Sequence, residues 1–388
     1  MDPQVPGLCL VTEPFAHTSG PHDARVVIVG EAWGEAEAET GRPFVGASGK
    51  ELWRMLGEAW PDVAPADHRR AQWAFYMRDN GWIDVREDWL HAASLLFTNV
   101  LALRPPSNDL ESISVPKAKR GEPYPWPAIK QGGYIPRDIM APQVERLLAE
   151  LRSARPNLVI AAGNAALAAL CHASGIMSRR GAVCESSALP GLKVLPTVHP
   201  AAIMRQWPLR PTVLQDLMKA AVERGFAHIK RPERQVLINP TIAELVEFFD
   251  HAERAERIAI DIETMNGQIR CVGFGLSRSY AAVIPFVDKT KPGWSYWTDP
   301  EDEIIAWGLV ADLCALPCQK VFQNGLYDIQ YLWRSGCPVR NMTADTMLLH
   351  HSMYPELPKS LGFLGSIYTN EAAWKLMRRD AEELKRDE

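Results

Sequence analysis

Four apolar runs in the first half of the chain each break off at a polar residue or a glycine, and this repeated pattern limits the fold more than any other feature. They are Val26-Val27-Ile28-Val29 before Gly30-Glu31, Phe97-Thr98 before Asn99, Asn157 to Ala162 before Gly163-Asn164, and Lys193 to Val198 before His199-Pro200. Short β-branched runs bounded by such residues read as buried strands of a parallel sheet. In an open parallel sheet the carboxyl ends of the strands share one edge, and ligands bind there. Glu31, Phe44, Asn99 and His199 all follow such ends, so one edge can collect them.

The first of these loops is glycine-rich and acidic. It reads Gly30-Glu31-Ala32-Trp33-Gly34 and continues through Gly41-Arg42-Pro43-Phe44-Val45-Gly46-Ala47-Ser48-Gly49. Glycines let backbone approach a ligand closely. Phe44 offers a flat apolar face and Glu31 a carboxylate. Stacking on a base and activating a water are what a nucleobase-cleaving pocket needs. The plainer alternative is a strand-loop-helix connection with no ligand.

The four segments GEAWG, GRPFVG, NVLALRPP and HPAAIMR occur in the same order as in the uracil-DNA glycosylase superfamily. The chain resembles that superfamily, and most of all its family 4 branch, over about residues 20 to 225. The resemblance implies a three-layer α/β fold around a parallel sheet. It implies that Phe44 stacks on a flipped base and that Asn99 bonds the polar edge of that base. It also implies that His199 donates to a carbonyl of the leaving base, and that Glu31 and Glu37 orient or polarise the attacking water. Gly30 would leave room for the base. Two departures fall inside these segments: Trp33 stands where the family has proline, and Ala201 where it has serine. Ile203 and Met204 offer an apolar wedge for extruding a base, with Arg205 and Arg210 as phosphate contacts. Their alternative is ordinary packing at a helix start.

Composition bounds the rest. The chain has 388 residues with 47% hydrophobic and 23% charged, enough for more than one packed domain. No run of eighteen apolar residues occurs, and the start is not signal-like, so neither membrane insertion nor secretion is expected and the protein should be cytoplasmic. A net charge of −5 excludes a strongly basic DNA coat but allows local phosphate contacts. The seven cysteines form no C-x-x-C pair, which fits reduced thiols. Family 4 glycosylases carry an iron–sulfur cluster on four cysteines. The first half here has only Cys9, Cys171 and Cys184, so no cluster is expected and the glycosylase step needs no cofactor. Insertions at about 60–92 and 107–136 are expected to supply packing instead.

A basic, proline-broken stretch suggests a linker at 229–240, dividing a first domain at 1–228 from a second at 241–388. In Arg257-Ile258-Ala259-Ile260-Asp261-Ile262-Glu263, strand alternation puts Asp261 and Glu263 on one face. Paired carboxylates repel unless a cation lies between them, and oxygen ligands suit magnesium or manganese. Asn324 and Asp328 lie four apart where a strand passes into a helix. D-x-E followed by N-x-x-x-D resembles the DEDD 3′–5′ exonucleases, in particular the proofreading domain of family A DNA polymerases. That resemblance implies a ribonuclease H-like mixed sheet with Asp261, Glu263 and Asp328 as ligands of Mg or Mn. Asp345 reads instead as a helix cap. The family's third motif is missing, with Asp380 and Asp387 as its remaining acidic candidates, so exonuclease activity is not expected of this chain alone. The pairing points to an intracellular, phage-like replication or repair protein, a glycosylase acting on DNA with a DNA polymerase as partner. The alternative is a non-catalytic DNA-binding module that recruits a polymerase.

Overall fold

A computed structural model describes residues 11–61, 89–129 and 133–371. Cys9, most of the 60–92 insertion, Asp380 and Asp387 lie outside the described residues. The chain divides into two compact units, one of residues 1–230 together with 362–388, the other of residues 231–361. The first boundary lies between residues 230 and 231. The second departs from expectation, because residues following 361 group with the first unit rather than with the second.

Unit 1 is built on a sheet with strand order β2-β1-β3-β5-β4. Strands β1 (Val26–Gly30), β2 (Leu95–Asn99), β3 (Leu158–Ala162) and β5 (Lys193–Thr197) pair in parallel and are buried throughout. The two-residue β4 (Cys184–Glu185) closes the edge antiparallel. Alternation along the strands explains the layers. Val27, Val29 and Val159 face one apolar cluster, while Val26, Ile28 and Ile160 face another. Helices α1 (Glu35–Thr40) and α2 (Ala47–Ala59) follow β1. Leu52, Trp53 and Leu56 of α2 pack into the second cluster. Helices α3 (Arg137–Ala154) and α4 (Asn164–Cys171) cover the first through Met140, Val144, Leu147 and an alanine face. The short helices α5 (Ile176–Arg179) and α6 (Pro200–Arg205) precede α7 (Arg210–Glu223), whose Val213 and Leu217 join the second cluster. Both faces are therefore covered, giving the expected three layers. Among the described residues no helix is long and apolar enough to cross a membrane.

Unit 2 carries a six-stranded mixed sheet of order β11-β10-β7-β8-β9-β6. After β6 (Gln235–Leu237), helix α8 (Ile242–Ala252) starts at a capping box, with Thr241 and Glu244 bonding each other's backbone N–H. Strands β7 (Arg257–Met265), β8 (Gln268–Gly275) and β9 (Tyr280–Pro285) form an antiparallel meander. Helix α9 (Pro300–Ala315) leads to β10 (Gln319–Phe322), which pairs with β7 in parallel. Helix α10 (Gly325–Arg334), strand β11 (Met342–Asp345) and helix α11 (Thr346–Met353) follow. Three antiparallel strands flanked in parallel by β10 and β11 on one side and by β6 on the other make the ribonuclease H-like mixed sheet expected from the sequence. In β7, Ile258, Ile260 and Ile262 enter the core, which leaves Asp261 and Glu263 outward.

The chain then returns to unit 1. Helix α12 (Leu361–Tyr368) brings Ser366 to a buried cluster, where its hydroxyl accepts from Arg180 at 2.9 Å. Arg180 pairs with Asp216, and Asp216 accepts the Thr197 hydroxyl at 2.8 Å.

Candidate active site

The carboxyl edge of the unit 1 sheet assembles the expected residues. Register places Gly30 opposite Asn99 at the ends of β1 and β2. Beyond the strands the two loops stay zipped: Val100, Leu101 and Trp33 donate backbone N–H bonds to Gly30, Glu31 and Leu103. A cavity of about 210 Å³ opens here, and Glu31, Glu37, Phe44, Asn99, His199 and Arg205 lie on its wall.

Gly30 is required by contact. A Cβ there would lie 2.1 Å from Asn99 Oδ1 and 2.6 Å from the Phe44 ring. Phe44 itself sits at φ 57°, a left-handed conformation that costs a side chain about 1–3 kcal/mol. Gly49 permits it, since a Cβ there would strike the Phe44 carbonyl oxygen at 2.0 Å. The Phe44 ring lies 5.1 Å from Phe97 and 6.2 Å from the His199 ring, at 26° to the latter.

Asn99 is 4% exposed, yet its side-chain amide hydrogen-bonds to no group among the described residues. Its backbone is fixed from below. Arg146, buried and paired with Glu150 at 2.5 Å, donates to the carbonyls of Asn99 and Val100. His199 caps α6, its Nδ1 accepting the Ala201 N–H at 3.2 Å. Burial, and to a lesser degree the charge of Arg205, push its pKa down to about 4. At Gly163, with φ 93°, an added Cβ would lie 3.0 Å from His199 Cβ, so the glycine leaves that side chain its space.

Glu37 corrects an expectation. Its carboxylate accepts from the backbone N–H groups of Gly34 at 3.1 Å, Val45 at 3.1 Å and Gly46 at 2.9 Å. With its lone pairs so engaged it braces the two glycine loops. Ile203 is fully buried in the second cluster and is not available as a wedge. Met204 is 54% exposed. Arg210 is likewise turned inward, bonded to Glu51 at 2.7 Å and Glu58 at 2.6 Å, which removes it as a phosphate contact.

The sequence reading missed Ser48, Pro105, Asn108 and Leu110, which also line the cavity. Ser107 and Asn108 are consecutive left-handed residues, a turn that the Pro-Pro-Ser-Asn text could have signalled. Both family departures, Trp33 and Ala201, lie on the cavity wall, Trp33 edge-on to His17 at 4.4 Å.

Cys171 and Cys184 Sγ atoms are 3.8 Å apart, but among the described residues no three His, Cys, Asp or Glu side chains are grouped to hold a metal ion. In unit 2, Asp261 and Glu263 face outward on β7, and Asp328 lies on α10 against the β7 backbone. Asp328 turns inward and its Oδ1 accepts the Ile262 N–H at 3.0 Å. Burial, with the charges of Asp261 and Asp345 adding to it, pushes its pKa up to about 6. Asp345 serves as a cap, accepting from the N–H groups of Asn324, Gly325 and Met347.

The family described as the uracil DNA glycosylase superfamily matches residues 17–222. The type-4 uracil-DNA glycosylase of Thermotoga maritima is 27% identical over 200 residues, which is 51% of this chain and 77% of that protein. The type-4 uracil-DNA glycosylase of Archaeoglobus fulgidus is 28% identical over 206 residues, 52% of this chain and 77% of that protein. Among solved structures, the catalytic core of RRP6 from Trypanosoma brucei is similar at a TM-score of 0.27 and 16% identity. That match covers 35% of this chain and spans about a third, 34%, of the trypanosomal chain. The Aedes aegypti Nibbler EXO domain is similar at a TM-score of 0.27 and 15% identity, over 38% of this chain and 74% of that one.

Proposed function

The chain belongs to the uracil DNA glycosylase superfamily, and from that premise we propose that it releases uracil, or a closely related base, from DNA by hydrolysing the N-glycosidic bond. The observation that carries this reading is the Asn99 amide on the cavity wall beside Phe44 and His199, with no hydrogen bond to any group among the described residues. An amide presents both a donor and an acceptor, and a base edge of matching polarity satisfies both.

The steps follow from the geometry. A flipped base stacks on Phe44 while Asn99 reads its edge. His199 is neutral at physiological pH, and with Nδ1 accepting, its proton resides on Nε2. That N–H donates to a carbonyl of the departing base and stabilises its growing negative charge. Glu31 orients the water and offsets positive charge on the sugar. Arg205, on the cavity wall, supplies a phosphate contact, and its exposed neighbour Met204 assists base extrusion. Trp33 and Ala201, both on the wall, are the residues that set which base is preferred.

Unit 2 is assigned to binding single-stranded 3′ ends, a role related to proofreading exonucleases, with a DNA polymerase as the protein partner. The likeness of Asp261-Ile262-Glu263 and of Asn324 to Asp328 to the D-x-E and N-x-x-x-D motifs of those exonucleases supports that assignment.

The test is incubation with a uracil-containing oligonucleotide and no added metal, followed by cleavage at abasic sites. Free uracil is the expected product. His199→Ala and Asn99→Ala should each slow its release by roughly a hundredfold or more. Parent-like rates in both variants would falsify the pocket assignment. Release of another base alone would keep the chemistry and reject uracil.

A further inference from the structure

A second cavity, of about 640 Å³, opens in unit 2 beyond the end of β7. Its size falls in the range of roughly 300–1,000 Å³ usual for ligand sites. The wall is aromatic. Trp307 stacks on Phe286 with ring centroids 3.8 Å apart and planes at 15°, a rigid inner surface. Trp294 and Tyr331 extend it outward.

Trp294 is 51% exposed yet firmly placed. Its N–H donates to Lys291 at 3.1 Å and its carbonyl accepts from Asp288 at 2.9 Å. It holds φ 62°, a left-handed conformation costing a bulky residue about 1–3 kcal/mol. Strain retained to keep an indole half in solvent is not explained by packing.

The polar lining suits a nucleotide. Arg334 is exposed and has no carboxylate partner among the described residues; its guanidinium lies 5.9 Å from the Tyr331 ring. Asn266 and Gln268 bring side-chain amides. Glu303, an acidic lining residue, accepts the Ser295 hydroxyl at 2.7 Å, and its remaining lone pairs suit an exocyclic amino group. Tyr327, Tyr331 and Arg334 recur at i, i+4 and i+7 on α10, one face of the helix that also carries Asp328. Tyr327 hydrogen-bonds Thr264 at 2.7 Å, next to Glu263. Tyr331 and Arg334 line the cavity, and the same helix face reaches Tyr327 about 10 Å from Arg334, at 1.5 Å per residue.

We propose that this cavity is a nucleobase-binding site for single-stranded nucleic acid, with a base stacked on Trp294 and an adjoining phosphate on Arg334. The inference rests on the nucleic-acid reading of unit 2. Aromatic faces accept any base, and an unpaired cation tracks the backbone.

The test uses the full chain and a labelled oligothymidine, which offers the glycosylase pocket no uracil, with binding read by fluorescence anisotropy. Trp294→Ala is expected to weaken binding about tenfold, and Trp294→Phe, which keeps a ring, to stay near the parent. Arg334→Ala should weaken binding and lower the slope of log affinity against log salt by about one. The proposal is overturned if the parent does not bind, if Trp294→Ala and Arg334→Ala bind as the parent does, or if Trp294→Phe falls as far as Trp294→Ala. Uracil release, measured on the same variants, should be unchanged. Its absence from the parent would strike the glycosylase reading and leave this one standing.

Discussion

His199 Nδ1 accepts the backbone N–H of Ala201 at 3.2 Å, and this bond fixes which proton the imidazole can offer. The folded pKa is pushed down to about 4, chiefly by burial, from an ordinary 6.5. Between these values the unfolded chain binds a proton that the folded chain does not, so stability falls as pH drops from 6.5 toward 4. The Nε2 donor persists throughout that window. Uracil release should therefore show no acidic limb near pH 6.5 and should fall only on approach to pH 4, while the melting temperature declines across the same range. Rate and melting curves against pH check both. A rate that halves near pH 6.5 would mean that His199 titrates normally.

Gly30→Ala places a methyl carbon 2.1 Å from Asn99 Oδ1 and 2.6 Å from the Phe44 ring. Both neighbours line the cavity, and either must move. The amide is the freer of the two, because no group among the described residues bonds it. Uracil release should drop by about a hundredfold, as expected when a positioning contact is misplaced by an ångström. Circular dichroism should show the fold retained. An active Gly30→Ala variant would show that Asn99 does not need its present position.

Glu37 separates two roles cleanly. As a brace it needs acceptors for three backbone N–H groups, and Glu37→Gln retains a carbonyl oxygen for Val45 and Gly46. Its amide nitrogen then faces the Gly34 N–H, donor against donor. A cost of about 1–3 kcal/mol in denaturant unfolding is expected, with uracil release within tenfold of the parent. Glu37→Ala should cost more. A hundredfold loss in Glu37→Gln at unchanged stability would instead return Glu37 to the attacking water.

Much of this was legible in the sequence because the strands are uniform. Five-residue apolar runs bounded by glycine or polar residues can be placed without tertiary information, and a parallel sheet then gathers Glu31, Phe44, Asn99 and His199 by topology alone. What failed was local direction within helices. Ile203 and Met204 are neighbours in the text, but one turn of α6 buries the first and exposes the second. Arg210 reads as a free cation until Glu51 and Glu58 on α2 meet it. Glu37, in an alternating acidic run, gives no hint that three amides converge on it. The return of residues 362–371 is a long-range event, and no local pattern announces it.

That return yields the final prediction, that unit 1 does not end at residue 230. Ser366 accepts from Arg180 at 2.9 Å, and the Phe363 ring lies 4.9 Å from the same guanidinium. Lys219 donates to the carbonyls of Gly181 and Ser366 at 2.7 Å, and to that of Thr369. Asn370 donates to Glu223 at 2.7 Å. Behind them Asp216 holds Thr197, the last residue of β5 and two before His199. A truncation to residues 1–230 removes four of these partners and opens a buried charge cluster to water on one side. Leaving buried charges incompletely paired costs about 3–5 kcal/mol. The truncated chain should melt well below the first transition of the full chain and release uracil more slowly, whereas Ser366→Ala alone should cost only about 1 kcal/mol. Matching melting temperatures for the truncated and full chains would show that the returning segment adds nothing to the glycosylase fold.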